Sequence, residues 1–352
     1  MQHGSLQNAT VAYETWGQLN AARDNGILLF TGLSPSSHAA SSPLDNSSGW
    51  WEPMIGLDKP IDTDRYFLIC INSLGSCFGS TGPASIDPAT ALPYRLTFPV
   101  LTVEDIARAG QAVVAQMGIT QLEAVIGASM GGMTALAHSM LFPTVARALV
   151  SISSAARALP FAIAMRSVQR EIIRSDPAWL QGKYPASSEP VMGMRMARKL
   201  GMLTYRSAKE LDVRFGRERT GNERKTDDAF GIDFEVESYL EAHANKFVGT
   251  FDANCYLYLS RAMDLFDAAD HGGSLAAGFS RVGASRALVI GVETDLLFPP
   301  SQQQELATGL DNGQREVQFH TLQSLQGHDA FLVDMDRFRP LLCDFFSCSG
   351  YI

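Results

Sequence analysis

Positive charge is scarce in this 352-residue chain: 28 lysines and arginines face 37 aspartates and glutamates, a net charge of −9. Phosphate neutralisation needs a basic face, so the balance argues against a nucleic-acid partner and leaves any anionic ligand dependent on a local positive site. Long apolar runs are missing too, and no stretch approaches a membrane span. The residues from Met1 to Gln7 lack a basic segment leading into an apolar one, so a cytoplasmic protein with no membrane partner is expected. Cysteine is sparse. Cys70, Cys77, Cys255, Cys343 and Cys348 are scattered, odd in number and without CxxC spacing, which argues against disulfides and structural zinc; no metal is expected. There is no low-complexity tract and no internal repeat. What is present, 46% hydrophobic and 18% charged residues at this length, suffices to bury a full core.

Short β-rich apolar runs at Thr10–Glu14, Ile27–Phe30 and Tyr66–Asn72 each end in a turn residue and read as strands. Apolar residues at helical spacing from Thr102 to Met117 precede Gly118, a stop signal. A strand at Ala124–Ile126, a helix at Met130–Leu141 ended by Pro143, and a strand at Ala148–Ile152 complete a β-α-β-α-β rhythm. Such alternation predicts an α/β fold with a mostly parallel sheet. Between about Pro160 and Gly278 strand character disappears and helix formers, methionines and charges dominate. It resumes at Ala287–Ile290, followed by helical Gln302–Leu310, a strand at Val317–His320 and a helix near Met335–Phe346. The expectation is an α/β-hydrolase core over 1–159 and 279–352, with a helical cap inserted at 160–278.

Gly127-Ala128-Ser129-Met130-Gly131 matches G-x-S-x-G and sits between a predicted strand and helix, the context that a nucleophile elbow requires. A serine hydroxyl is a weak nucleophile. It needs a histidine base, and the imidazole needs a carboxylate to fix its tautomer and stabilise its charged form. In this fold the chain order is Ser, acid, His. Asp295, beyond the strand Ala287–Ile290, and His328, beyond the strand Val317–His320, fall in that order on post-strand loops. Glu293 is the rival acid, nearer the strand end. His38, His138, His243, His271 and His320 read as packing or surface residues. The oxyanion hole should use the backbone N–H of Met130 and one from the early loop, with Leu33 and Ser34 both open.

Arg195, Arg198, Lys199, Arg206, Lys209, Arg214, Arg217, Arg219, Arg224 and Lys225 crowd one part of the insertion. Two readings compete: a solvated helix face laced with salt bridges, or charges set over the nucleophile to attract carboxylates or coenzyme A phosphates.

Several segments together resemble the homoserine O-acyltransferase family of α/β hydrolases. They are Val11 to Asn20, Gly49-Trp50-Trp51, Ile61 to Phe67, Leu74-Gly75-Ser76-Cys77-Phe78-Gly79-Ser80-Thr81-Gly82-Pro83, Gly127 to Met133, Leu203 to Ser207, Phe215 to Arg219, and Phe251 to Asn254. The resemblance implies ping-pong acyl transfer from an acyl-CoA co-substrate through Ser129 to an amino-acid hydroxyl deprotonated by His328, with no bound cofactor. It also implies that Arg198 holds the acceptor carboxylate, with Arg206 as rival, and that Asp329 holds its ammonium. Ser76-Cys77-Phe78-Gly79 is similar to the succinyl-using members. The early loop Thr31-Gly32-Leu33-Ser34 departs from the His-Ala-Leu-Thr-like loop of homoserine acetyltransferases and is similar to the branch that acylates L-serine. Serine O-succinyl transfer in cysteine biosynthesis is therefore expected. Homoserine O-succinyl or O-acetyl transfer in methionine biosynthesis, and a serine esterase or thioesterase, are the alternatives. The resemblance and the methionine-rich insertion suggest a homodimer through cap helices.

Overall fold

The computed structural model describes residues 1, 4–185, 187–221, 230–313 and 315–347. Three strands come first, β1 (Tyr13–Trp16), β2 (Gly26–Phe30) and β3 (Phe67–Ile71), then a small hairpin of β4 (Ile86–Asp87) and β5 (Leu92–Pro93). Next come α1 (Val103–Gln116), β6 (Leu122–Ala128), α2 (Met130–Leu141) and β7 (Ala146–Ile152). Six helices follow without an intervening strand among the described residues: α3 (Pro160–Ser175), α4 (Val191–Tyr205), α5 (Ala208–Phe215), α6 (Glu235–Phe247), α7 (Ala253–Leu265) and α8 (Leu275–Ser280). The chain returns to the sheet with β8 (Arg286–Val292), α9 (Pro300–Leu310) and β9 (Glu316–Leu322), and closes with α10 (Ala330–Val333) and α11 (Met335–Ser347).

Seven strands form one sheet in the order β1-β3-β2-β6-β7-β8-β9. All its pairings are parallel except β1 with β3. Central strands read as unbroken apolar runs because both their faces are covered: every residue of β2 and β6 is buried. Successive side chains point to opposite faces, so Leu28, Phe30, Val125 and Leu149 pack with α1, α2 and α7, while Ile27, Leu29, Ile126 and Val150 pack with Trp51 and with Phe338 and Phe345 of α11. Each such fully buried side chain contributes about 1.5–3 kcal/mol by leaving water. Helix α1 starts at a capping box, in which Thr102 Oγ1 accepts from Asp105 N–H and the Asp105 carboxylate accepts from Thr102 N–H.

The first strand differs from expectation in position and direction. It lies at Tyr13–Trp16 rather than Thr10–Glu14 and runs antiparallel to β3. The Thr10 and Ala12 carbonyls accept instead from Thr81 and Asn72 N–H, which stitches that stretch to the loop after β3. Cys70, Cys77, Cys255 and Cys343 are free thiols, and Cys348 lies outside the described residues. No helix among the described residues is long and apolar enough to cross a membrane.

Candidate active site

Strand β6 passes into α2 through a single residue, Ser129, whose φ and ψ are 57° and −123°. A non-glycine residue in that region costs about 1–3 kcal/mol and persists only where its surroundings dictate it. They do so here. Ser129 N–H donates to Ile152 O at 2.9 Å, and Ser154 Oγ donates to Ser129 O at 2.8 Å. The flanking glycines allow the close approach: a Cβ at Gly127 would lie 1.9 Å from Gly131 O, and one at Gly131 would lie 2.2 Å from Phe30 O.

The carboxyl ends of parallel strands share one sheet edge, so the loops after β6, β8 and β9 meet. The loop after β8 carries Asp295, and a short 3₁₀ turn after β9 carries His328. His328 Nε2 lies 2.9 Å from Ser129 Oγ and its Nδ1 lies 2.8 Å from Asp295 Oδ2. Asp295 Oδ1 accepts from the N–H groups of Leu297 and Phe298, at 2.9 Å each, which fixes the carboxylate plane. Phe298 and Phe331 wall the imidazole at ring distances of 5.4 and 5.8 Å. Glu293 is exposed at the strand end, where its N–H bonds Leu322 O. Of the other described histidines, His38 pairs with Glu14, His271 with Glu104, and His138 is buried against Gln111, where desolvation pulls its pKa down to about 3.

Burial alone would lower the His328 pKa, but the charge and hydrogen bond of Asp295, with Asp329 nearby, outweigh burial and the opposing charge of Arg166. The net direction is upward from the ordinary 6.5. An imidazolium cannot take the Ser129 proton, so reactivity at Ser129 should be lost at low pH and should rise as pH passes upward through the raised pKa. The kcat/KM for an acyl donor is expected to show an acid limb with its midpoint above 6.5. A midpoint at or below that value would contradict the raised pKa.

Met130 begins α2 and is buried, and its N–H has no acceptor among the described residues. The loop after β2 lies alongside: a Cβ at Gly131 would lie 2.9 Å from Thr31 O, and one at Gly32 would lie 3.8 Å from Ala128 O. The N–H groups of Leu33 and Ser34 are likewise unbonded among the described residues, so both stay open as the second donor.

Helix α4 carries Arg198, and Arg206 is the extended residue that ends it. The Arg198 guanidinium lies over the Phe247 ring at 4.6 Å and the Tyr205 ring at 5.5 Å, and its buried Nε has no partner. Arg206 bonds Gln326, with its Nε 3.9 Å from Asp329 Oδ2. Burial pushes the Asp329 carboxyl above the ordinary carboxylate value, against the pull of His328, Arg206 and Arg198. The rest of the basic cluster turns elsewhere. Arg195 and Lys199 pair with Glu241, Arg214 with Glu210, and Arg217 and Arg219 stack on Phe234. Lys209 is exposed, and Arg224 and Lys225 lie outside the described residues.

Two further groups were not anticipated. Burial pushes the hydroxyl pKa values of Tyr205 and Tyr256 upward, so both stay protonated. Arg166 of α3 is 5% exposed and donates from Nε to Asp264 Oδ1 at 2.6 Å, while its Nη2 is buried without a partner. Its charge is felt at His328, Tyr205 and Tyr256. The sequence holds a signal for it: Arg166 shares the inward helical stripe of Ala162, Gln169 and Ile173, where an arginine is out of place unless it serves a ligand or a buried acid.

Comparison with known proteins agrees with this geometry. The family described as alpha/beta hydrolase fold matches residues 27–333. A serine O-succinyltransferase of Litchfieldella anticariensis is 57% identical over 348 residues, 99% of this chain and 95% of that protein. One from Stenotrophomonas maltophilia is 57% identical over 97% of this chain and 93% of that protein. Among solved structures, a homoserine O-acetyltransferase from Bacillus anthracis superposes with a TM-score of 0.89 at 28% identity, covering 98% of this chain and 95% of that one. Esterase E22 does so with 0.87 at 29%, covering 98% and 97%. The chain belongs to the homoserine and serine O-acyltransferase family of α/β hydrolases, in its serine O-succinyltransferase branch.

Proposed function

We propose that this protein transfers a succinyl group from succinyl-CoA to the hydroxyl of L-serine, in the cytoplasm and in the service of cysteine synthesis, by way of an ester on Ser129. The observation that carries the reading is a serine, histidine and aspartate in hydrogen-bonded line, with the charge of a buried, incompletely paired Arg166 acting on the histidine. Ser129 Oγ attacks the thioester carbonyl as His328 Nε2 takes its proton. The developing oxyanion lies toward the N–H of Met130 and that of Leu33 or Ser34. The C–S bond breaks, and His328 returns the proton to the departing thiolate. L-serine then enters, its hydroxyl loses a proton to His328 and attacks the ester, and the C–O bond to Ser129 breaks as the proton returns to Ser129 Oγ.

For the acceptor, Arg198 is assigned to the α-carboxylate, with Arg206 behind it, and Asp329 to the ammonium. Opposite charges at a fixed separation select an α-amino acid and orient its hydroxyl. Segment 160–278 acts as the cap that keeps water from the ester. A homodimer through cap helices is supported by Met192, Met196 and Leu203, apolar and exposed along α4; light scattering that returns the 38.2 kDa monomer mass would reject it.

Homoserine is the second acceptor to weigh, because one methylene is worth only about 1–3 kcal/mol of discrimination. Hydrolysis is the second reaction, favoured by the likeness in fold to an esterase, since water attacks the same ester. Incubation with succinyl-CoA, alone and with L-serine or L-homoserine, separates them. The expected result is free-thiol release stimulated strongly by L-serine, with O-succinylserine as product. Thiol release indifferent to any amino acid would overturn transfer in favour of hydrolysis.

A further inference from the structure

A cavity of about 500 Å³ opens between core and cap, lined by Leu96 on the core side and by Trp179, Tyr258, Arg170, Arg174 and Arg261 on the cap side. That volume is in the range of small-molecule sites. Its charge is unusual for a chain of net charge −9. Arg174 and Arg261 have no ion-pair partner among the described residues, and the Arg174 guanidinium lies 5.6 Å from the Trp179 ring centre. The Tyr258 hydroxyl donates to Phe98 O at 2.8 Å, which fixes its ring at the cavity wall. Arg170 is held from behind, with Nη1 2.9 Å from Ser260 Oγ and Nη2 2.6 Å from Asp264 Oδ2.

Helix α3 relates the cavity to the reactive centre. Arg166, Arg170 and Arg174 recur every fourth residue on α3, so they form one row about 12 Å long at 1.5 Å per residue. Its inner end is felt at His328 and its outer end lines the cavity. Asp264 joins the first two members by taking one from each carboxylate oxygen. A ligand fitted to this row has a reactive end, a neutral arm and a polyanionic end carrying an aromatic base.

We propose that this cavity binds the nucleotide end of the coenzyme A donor, with Arg174 and Arg261 on its phosphates and Trp179 and Tyr258 presenting aromatic surface to the adenine. The assignment rests on the acyl-CoA reading above. Guanidiniums match phosphate oxygens bidentately, and a local positive site overcomes the repulsion of an acidic protein.

The test is the double variant Arg174→Ala with Arg261→Ala, neither residue being at the reacting centre. Binding of coenzyme A, followed by calorimetry, is expected to weaken at least about tenfold, and the KM for succinyl-CoA to rise in parallel. The KM for L-serine and turnover of succinyl-N-acetylcysteamine, a thioester without the nucleotide, should stay at the unaltered protein's values. Raising ionic strength should increase the KM for succinyl-CoA more in the unaltered protein than in the variant. Equal coenzyme A affinity in both proteins, no binding to either, or an equal loss with the truncated thioester would overturn the assignment. Transfer from the truncated thioester to L-serine by the unaltered protein separately reports whether the acyltransferase reading itself stands.

Discussion

Replacing Ser129 by alanine is expected to lower the rate of thiol release from succinyl-CoA by roughly 10⁴ to 10⁶-fold, with the KM for the donor little changed. The size follows from what is removed. With no Oγ, His328 has no proton to take and no covalent ester can form, so only direct attack by L-serine or water in the emptied site remains. Donor binding should survive, because the proposed nucleotide site is built from Arg174 and Arg261 and does not include Ser129. Alanine at this position inherits the same φ of 57°, and the bonds that hold the turn are made by backbone atoms and by Ser154. Near-UV circular dichroism should therefore match the unaltered protein. Mass spectrometry after mixing with succinyl-CoA should find a succinyl adduct on the unaltered chain and none on the variant. Thiol release within tenfold of normal in a correctly folded variant would mean that another group carries the chemistry.

Arg166→Met carries the second largest expectation: kcat/KM for succinyl-CoA should fall about 100 to 1,000-fold, whereas that for acetyl-CoA should hold or rise. Two arginines share the single carboxylate of Asp264, which leaves one positive charge uncompensated in a buried place. The far carboxylate of a succinyl group would complete the set. Removing one member of such a buried pairing costs about 2–5 kcal/mol, and the predicted loss, about 2.7–4.1 kcal/mol, falls within that range. An acetyl group brings no charge, so the unaltered site leaves the Arg166 Nη2 unsatisfied and discriminates against it. Methionine keeps much of the volume, and Asp264 remains paired with Arg170, so the fold has reason to persist. An equal loss with both donors would reduce Arg166 to a strut between α3 and α7.

The convergence of Ser129, Asp295 and His328 was legible because it depends on rules that act along the chain. A strand-helix turn of minimal length demands glycines at fixed offsets, and parallel strands deliver their following loops to one edge. Strand β1 starts later than its local pattern predicts because the carbonyls of Thr10 and Ala12 are taken by the distant N–H groups of Thr81 and Asn72, a pairing that no local pattern of Thr10–Glu14 encodes. The basic cluster divided in a way that spacing alone does not determine. Arg195 and Lys199 pair with Glu241 of α6, whereas Arg198, between them in sequence, stacks on the rings of Tyr205 and Phe247. Arg166 stood outside the cluster, and its burial against Asp264 is a tertiary fact that only its place on the inward stripe of α3 foreshadows. The cavity arginines come from α3 and α7, so nothing short of the packed cap puts them together.

The sheet carries a consequence for the order of folding. Strand β7 closes on β8 only after the whole helical segment between them has been threaded past, and β9 can join only once β8 is seated. Ser129 and His328 are separated by 199 residues. The elbow can form early from β2, β6, β7 and α2, all encoded before Pro160, whereas the imidazole that makes its serine reactive arrives with nearly the last pairing. Long loop closure is slow, because its entropy must be lost before the contacts that reward it are made. During synthesis the chain thus holds an inert hydroxyl until the cap is built, and the capacity to acquire an acyl group appears together with the chamber that shields it.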